Sequence, residues 1–209
     1  MARGRAAGFE TQRELILASA AELFARQGYA GTSMNQIAEA AGLSKATLYH
    51  YGADKHALLV SIAEGHVSRL RALVTEVQAQ MLAPEPALRA LIQAFVRDYA
   101  GARDAHRVLT EDVRFIAPAE RERILATERE VVAAFADTVS ALRPELAAAA
   151  LAKPLTMLLF GTINWMFTWV RPEGPLDHAA LAPIVADLFL GGLPGVAASL
   201  GGRGQAAIP

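Results

Sequence analysis

The segment TSMNQIAEAAGLSKATLYHYGADKHAL, residues 32–58, concentrates side chains that can bond to nucleic acid. Lysine and histidine donate to guanine acceptors or phosphates, a threonine methyl can contact thymine, and hydroxyl groups contact phosphate oxygens. Tyr51 fits a position in the hydrophobic core as well as it fits a DNA contact. Ser44 is more strongly indicated as a helix cap than as a phosphate ligand. We predict DNA contacts from the residues that carry these groups: Thr32, Ser33, Ser44, Lys45, Thr47, Tyr49, His50, Tyr51 and Lys55.

Two short helices joined by a glycine turn are expected to hold these side chains. Ser33 precedes Gln36 by three residues, a capping-box pattern that predicts a helix beginning at Met34. Gly42 breaks this helix, and Ser44 can cap a third one. Such a helix pair places its second helix in the major groove of DNA.

The flanking residues complete a three-helix unit. Apolar residues at helical spacing predict an amphipathic helix over residues 10–27, ended by Gly28, which tolerates positive φ. In the third helix Leu48 should point inward. Asp54 should cap a fourth helix.

The rest of the chain also has helical periodicity, and strand patterns are nearly absent. The fourth helix should run from Lys55 to about Met81 and stop at Pro84 and Pro86. We predict an all-α fold of about nine helices. The later helical stretches are expected at residues 86–103, 104–116, 118–142, 145–170 and 178–193.

Composition narrows the class of protein. The 209 residues are 53% hydrophobic and 20% charged, which suits a packed globular core. Cysteine is absent, so disulfides and thiolate sites are excluded, and a reducing cytoplasm is the expected location. The apolar run over residues 155–170 is shorter than the ~20 residues of a membrane helix, so no membrane association is expected.

Charge is divided unevenly along the chain. Residues 1–71 hold eight Lys and Arg against six Asp and Glu, whereas residues 72–209 hold twelve against fifteen. Two of the three lysines, Lys45 and Lys55, bracket the third helix. A basic bias at this end suits contact with phosphates.

Catalytic signatures are missing from the sequence. It contains no phosphate-binding glycine loop and no nucleophile elbow, and its five histidines lack close metal-ligand spacing. We therefore expect neither an enzyme nor a bound cofactor or metal. A helical adaptor that binds protein partners remains an alternative, but it would not need a basic recognition helix.

Residues 10–60 resemble the DNA-binding domain of TetR-family transcriptional regulators. The similarity rests on the phrases SMNQIA, AGLS, TLYHY and DK, followed by LL. It implies a helix-turn-helix domain at residues 1–55, a connecting fourth helix, and a helical ligand-binding and dimerisation domain at residues 56–209. The family usually carries an aromatic residue where this chain has Gly52, so the end of the third helix should be looser here.

Three further phrases are similar to TetR-type repressors of phenylacetate or fatty-acyl catabolism, which sense CoA thioesters. They are MARGRAAGFETQRELIL, AEGHVSRL and GTINWMFTWVRPEG. The resemblance implies a repressor released by a CoA thioester such as phenylacetyl-CoA or a fatty acyl-CoA. A regulator of efflux that responds to a hydrophobic or aromatic compound is the alternative.

Aromatic and polar residues of the C-terminal part are the candidate effector contacts. Trp165 and Trp169 are four residues apart and should share a helix face, and Asn164 is an amide in an apolar run. For any single aromatic residue, packing in the core or at a dimer interface is the favoured role, and contact with an effector is the alternative. The predicted ligand-binding set is Phe95, Tyr99, Arg114, Phe115, Asn164, Trp165, Thr168, Trp169 and Arg171.

A homodimer on palindromic double-stranded operator DNA is the expected assembly. Dimerisation should use the helices at residues 145–170 and 178–193, whose apolar content exceeds what one subunit can bury. A ligand between helices would tilt the fourth helix and change the spacing of the two recognition helices.

Overall fold

A computed structural model describes residues 2–51, 54–171 and 174–198, with backbone alone at residues 2–8. The described residues form ten α-helices and no strand, which confirms the all-α fold. Three single 3₁₀ turns follow α6, α9 and α10, at Val113–Phe115, Met166–Thr168 and Leu193–Gly195. The helices are α1 Ala2–Gln27, α2 Met34–Ala40, α3 Lys45–His50, α4 Lys55–Gln78, α5 Pro84–Gly101, α6 Arg103–Asp112, α7 Pro118–Leu142, α8 Pro144–Ala148, α9 Ala152–Asn164 and α10 His178–Gly192.

The predicted caps of α2, α3 and α4 are confirmed. Ser33 and Gln36 form a reciprocal capping box at α2, and the Ser44 hydroxyl accepts from the Thr47 amide at α3. The Asp54 carboxylate accepts from the Ala57 amide over 2.7 Å at α4. Gly28 follows α1 with φ +79°, as expected for a glycine that ends a helix.

Packing divides the chain into two compact units. The first comprises Met1–Arg69 and Ala102–Thr127, and the second comprises Leu70–Gly101 and Glu128–Pro209. The division falls within α4 and α7, so each of these helices contributes to both units. Residues 102–127, expected with the C-terminal half, therefore pack with the helix-turn-helix.

The first unit has its own hydrophobic core. Phe24 of α1, Ile37 of α2, Leu48 of α3 and Leu59 of α4 are all fully buried in it. Ile124 of α7 belongs to the same cluster. Burying one large aliphatic or aromatic side chain from each helix fixes the short helices, which are too short to be stable alone.

The second unit is centred on three aromatic rings. Phe95 of α5 packs against Phe135 of α7 and Phe160 of α9, with ring centroids 4.9 to 6.0 Å apart. Helix α10 packs along α5. Arg143 donates to the carbonyl of Leu193 and so ties α7 to the end of α10.

Several helix boundaries differ from the sequence prediction, and α1 begins at Ala2 rather than near residue 10. The stretch 145–170 is not one helix, because Ala150 adopts φ +56° and separates α8 from α9. Helix α4 ends at Gln78 rather than Met81, which itself has φ +49°. Pro84 starts α5 instead of preceding it, since proline fits the first turn of a helix.

Candidate DNA-binding surface and effector region

Helix α3 presents a polar face to solvent. Lys45, Tyr49 and His50 are exposed, Thr47 is half-exposed, and Leu48 is fully buried beneath them. Ala46 is also exposed beside them, although nothing in the sequence pattern singles out this small residue. A small methyl at this position can contact a thymine methyl, so α3 offers both donors and an apolar contact to base edges.

The two capping serines are exposed but already bonded. The Ser44 hydroxyl lies 3.0 Å from the Thr47 amide and 2.8 Å from the Thr47 hydroxyl. Ser33 accepts from the Gln36 amide over 3.3 Å and donates its own N–H to the Gln36 side chain over 2.8 Å. Both residues fix the first turns of their helices, and both are exposed as residues.

Thr32 and Lys55 have structural positions that the sequence did not indicate. Thr32 is buried, and its hydroxyl donates to the Gly28 carbonyl over 2.9 Å. The Lys55 ammonium donates to the carbonyls of Tyr29 and Thr32, 2.9 Å from each. The side chains of both residues are occupied within the unit, so we assign neither of them a DNA contact.

Tyr51 ends α3 and packs against the first helix. Its ring stacks on Phe9 with centroids 4.6 Å apart and planes inclined by 24°. The ring is half-exposed, which is consistent with the core role as well as with a phosphate contact through its hydroxyl. Gly52, where the chain departs from the family pattern, lies outside the described residues.

A bonded loop connects α6 to the helix-turn-helix. The Tyr29 amide donates to the Asp112 carboxylate over 3.2 Å, across 83 residues of sequence. The Tyr29 ring lies 5.3 Å from Phe115 and under the Lys55 ammonium, 4.4 Å from it. Burial raises the pKa of Asp112, and the bond from the Tyr29 amide opposes that rise. Sequence patterns could not identify Tyr29 or Asp112, because neither has a local motif.

Three of the predicted effector residues come together in the second unit. Phe95 is fully buried in the aromatic core, one turn before Tyr99. The Tyr99 hydroxyl donates to the Asn164 side-chain carbonyl over 2.9 Å and joins α5 to α9. Burial, with the charges of Asp98 and Glu128, raises the pKa of Tyr99, so its hydroxyl is a neutral donor. The Asn164 amide is thus bonded, as its apolar setting requires.

The other predicted effector residues are dispersed. Phe115 and Arg114 belong to the first unit, where the Phe115 ring packs on Tyr29. Trp165 and Trp169 do not share a helix face, because α9 ends at Asn164 and a 3₁₀ turn separates them. The exposed residues of this turn region are Trp165, Thr168, Trp169 and Arg171.

An apolar face lies along α9 and α10. Leu158 is 68% exposed and Leu188 72% exposed, although both are large aliphatic side chains. They border a groove of about 240 Å³, lined by Leu155, Leu158, Leu159, Thr162, Val185, Leu188, Phe189, Gly192, Leu193 and Val196. Residues His178–Gly195 are long and apolar enough to cross a membrane, and a third of them is buried. An exposed apolar patch of this kind marks a surface that another molecule covers.

Within residues 2–51, 54–171 and 174–198, no three His, Asp or Glu side chains are grouped so as to hold a metal ion.

The helix-turn-helix, the exposed α3 face and the helical second unit define a DNA-binding regulator. Residues 16–62 match the model described as bacterial regulatory proteins, tetR family, and residues 81–193 match the tetracyclin repressor-like C-terminal domain. The chain therefore belongs to the TetR family of transcriptional regulators, which are transcription factors and not enzymes.

Individual relatives cover nearly the whole chain. A TetR-family transcriptional regulator from Bordetella parapertussis 12822 is 36% identical, with a TM-score of 0.81 over 90% of this chain and 98% of its own. The HTH-type transcriptional activator FasR of Mycolicibacterium smegmatis is 25% identical over 193 residues, 91% of this chain and 87% of FasR. AibR, solved with isovaleryl coenzyme A and operator DNA, has the same fold at 24% identity, with a TM-score of 0.74 over 85% of this chain and 97% of its own.

Proposed function

We propose that this protein is a homodimeric repressor that binds a palindromic operator and is released by a small-molecule effector. The observation that carries the DNA-binding role is the exposed polar face of α3, held on a helix whose start is capped by Ser44. We assign the major-groove contacts to the side chains of α3 that are exposed or half-exposed, Lys45, Thr47, Tyr49 and His50. In a two-fold dimer, half-site centres lie about 34–36 Å apart, or a multiple of that.

Lysine substitutions test the position of the DNA surface. The operator is first selected from fragmented genomic DNA with the purified protein, and affinity is then measured by gel shift at several salt concentrations. Lys45→Ala should weaken binding and reduce the salt slope by about one counterion if Lys45 contacts phosphate. Lys153→Ala is the matched control, since Lys153 is exposed on α9. Equal affinities for the two variants would place the DNA surface elsewhere.

Base reading is expected from the outer residues of α3. Thr47→Ala and His50→Ala should change the preferred bases at one operator position each, at about 1–3 kcal/mol per lost contact. Tyr49→Phe should weaken binding to all operators alike, because its hydroxyl is assigned to phosphate. The measurement is selection from a randomised operator library. Unchanged base preference in the Thr47 and His50 variants would refute the assignment.

The proposed dimer interface is the apolar face of α9 and α10. Leu188→Glu places a charge on the most exposed leucine of that face and should yield a monomer in sedimentation velocity. Met81→Glu is the control, because Met81 is 88% exposed on the α4–α5 connection. A dimeric Leu188 variant would exclude this face. Lipid binding by wild type would instead favour a membrane as its cover.

The proposed effector is a CoA thioester with an aromatic or acyl head. Support comes from the Tyr99–Asn164 pair, which can exchange its internal bond for one to a thioester carbonyl, and from AibR, which binds isovaleryl coenzyme A. Thermal shift with phenylacetyl-CoA and fatty acyl-CoAs should show stabilisation, and free CoA and phenylacetate serve as controls. Stabilisation by uncharged aromatic compounds alone would favour a regulator of efflux.

Release is expected to act through α4. This helix begins at Lys55, shortly after the recognition helix α3 ends at His50. A small tilt of α4 would therefore alter the distance between the two recognition helices of the dimer. The effector must bind the released form several kcal/mol more tightly than the DNA-bound form. A reporter gene behind the selected operator tests the direction of control. Expression that rises when the protein is supplied would identify an activator, as FasR is.

A further inference from the structure

A set of hydrogen bonds fixes the loop between α1 and α2. The loop residue Tyr29 is bonded at both ends of its backbone: its N–H donates to Asp112 and its carbonyl accepts from Lys55. The carboxylate lies at the donor end and the ammonium at the acceptor end, so both charges reinforce the polarity of the backbone groups. Hydrogen bonds to charged groups are roughly twice as strong as neutral ones.

The same ammonium fixes the far end of the loop. Lys55 also donates to the Thr32 carbonyl, and the Thr32 hydroxyl donates to the Gly28 carbonyl. Gly31 lies so close to the Gln27 carbonyl that an added Cβ would be 2.7 Å from that oxygen. The loop from Gly28 to Thr32 is therefore tightly packed, and it sets the direction in which α2 leaves α1.

Helix α6 contributes one of the two charges. Asp112 is its last residue and is 5% exposed, and α6 packs along α1 in the first unit. We propose that Asp112 is a positioning residue for DNA binding: by holding Tyr29, it fixes the placement of α2 and α3 and makes α6 a working part of the DNA-binding unit. The inference rests on the proposed DNA contacts of α3.

Hydrogen–deuterium exchange of the free, full-length protein tests the loop directly. Asp112→Ala should speed amide exchange in the peptide that contains Tyr29 by about tenfold or more, because the amide loses its acceptor. Asp112→Asn keeps an acceptor oxygen and should restore most of the protection. Glu111→Ala is the matched control, since Glu111 pairs with Arg107 on its own helix. Wild-type exchange in the Asp112→Ala protein would overturn the proposal.

Operator affinity then tests the positioning role. Asp112→Ala should bind the selected operator about tenfold more weakly, and Glu111→Ala should bind within twofold of wild type. Equal affinity for Asp112→Ala and wild type would reduce Asp112 to a structural residue and overturn the proposal. If no operator is found, the proposed function fails, whereas the exchange result still decides whether Asp112 holds the loop.

A second variant covers the case in which Asp112→Ala does not fold. Lys55→Met keeps the aliphatic chain and removes the ammonium from the other end of Tyr29. Faster exchange in the loop of this free protein would support the bonded loop. Weaker DNA binding with unchanged exchange would mean that Lys55 contacts phosphate instead, which would overturn its place in the network.

Discussion

Acidification should destabilise the protein through one buried imidazole. His66 of α4 lies with its Nε2 atom 3.2 Å from Nδ1 of His106 of α6, and both residues are buried. Burial, then the charges of His106 and Arg69, lowers the pKa of His66 to about 3. In the unfolded chain a histidine titrates near ~6.5.

The direction and size of this change in the free energy of unfolding follow from proton binding at His66. Below pH ~6.5 the unfolded chain binds a proton at His66, whereas the folded protein binds this proton only near pH ~3. The free energy of unfolding therefore falls as the pH falls from ~6.5 to ~3. The loss at pH 5 relative to pH 8 is about 2 kcal/mol per subunit, from 1.36 kcal/mol for each unit below the unfolded pKa.

Urea denaturation at fixed protein concentration, followed by circular dichroism from pH 8 to 5, measures this loss. His66→Gln keeps an amide near the Nε2 position and removes the titrating ring, so its stability should fall by about 2 kcal/mol less than that of wild type over the same range. His50→Gln is the control, because His50 is exposed on α3. Parallel pH profiles for wild type and His66→Gln would refute the argument.

Four further variants probe local geometry through the free energy of unfolding in urea. Ser44→Ala removes the cap of α3 and should cost about 1 kcal/mol, whereas an unchanged value would mean that water caps the helix equally well. Tyr99→Phe leaves the Asn164 carbonyl without its donor and should cost about 1–3 kcal/mol; a neutral result would show that water replaces the hydroxyl. Gly28→Ala should cost about 1–2 kcal/mol at φ +79°, while Gly65→Ala, inside α4 with open space around it, should stabilise by about 0.5–1 kcal/mol; the opposite order would contradict the backbone assignment.

Features that depend on neighbouring residues were predictable from the sequence. The capping box of α2, the glycine that ends α1 and the bounds of α7 at Pro118 and Leu142 all follow from bonds that span at most four residues. The outward face of α3 was predictable for the same reason, because the buried position of Leu48 orients the rest of the helix. The division into two units was harder to predict from the sequence, since residues 102–127 carry no motif that links them to the helix-turn-helix.

Long-range partners were decided by the tertiary structure. From the sequence, a lysine at the start of α4 is expected to contact phosphate. In the fold, Lys55 donates to two carbonyls of a loop that lies 26 and 23 residues earlier in the chain. The bond from Tyr29 to Asp112 spans 83 residues, and Tyr99 reaches Asn164 across 65. The break at Ala150 likewise turned one predicted helix into two.

The amino-acid sequence by itself determined the helices, their caps and the polar face that identifies a DNA-binding regulator. Only the tertiary structure decided which of the polar residues remain available for a ligand and which bond within the protein. The physical reason is that local backbone bonding is set by residues within one turn, whereas a buried polar group must find its partner wherever packing brings one.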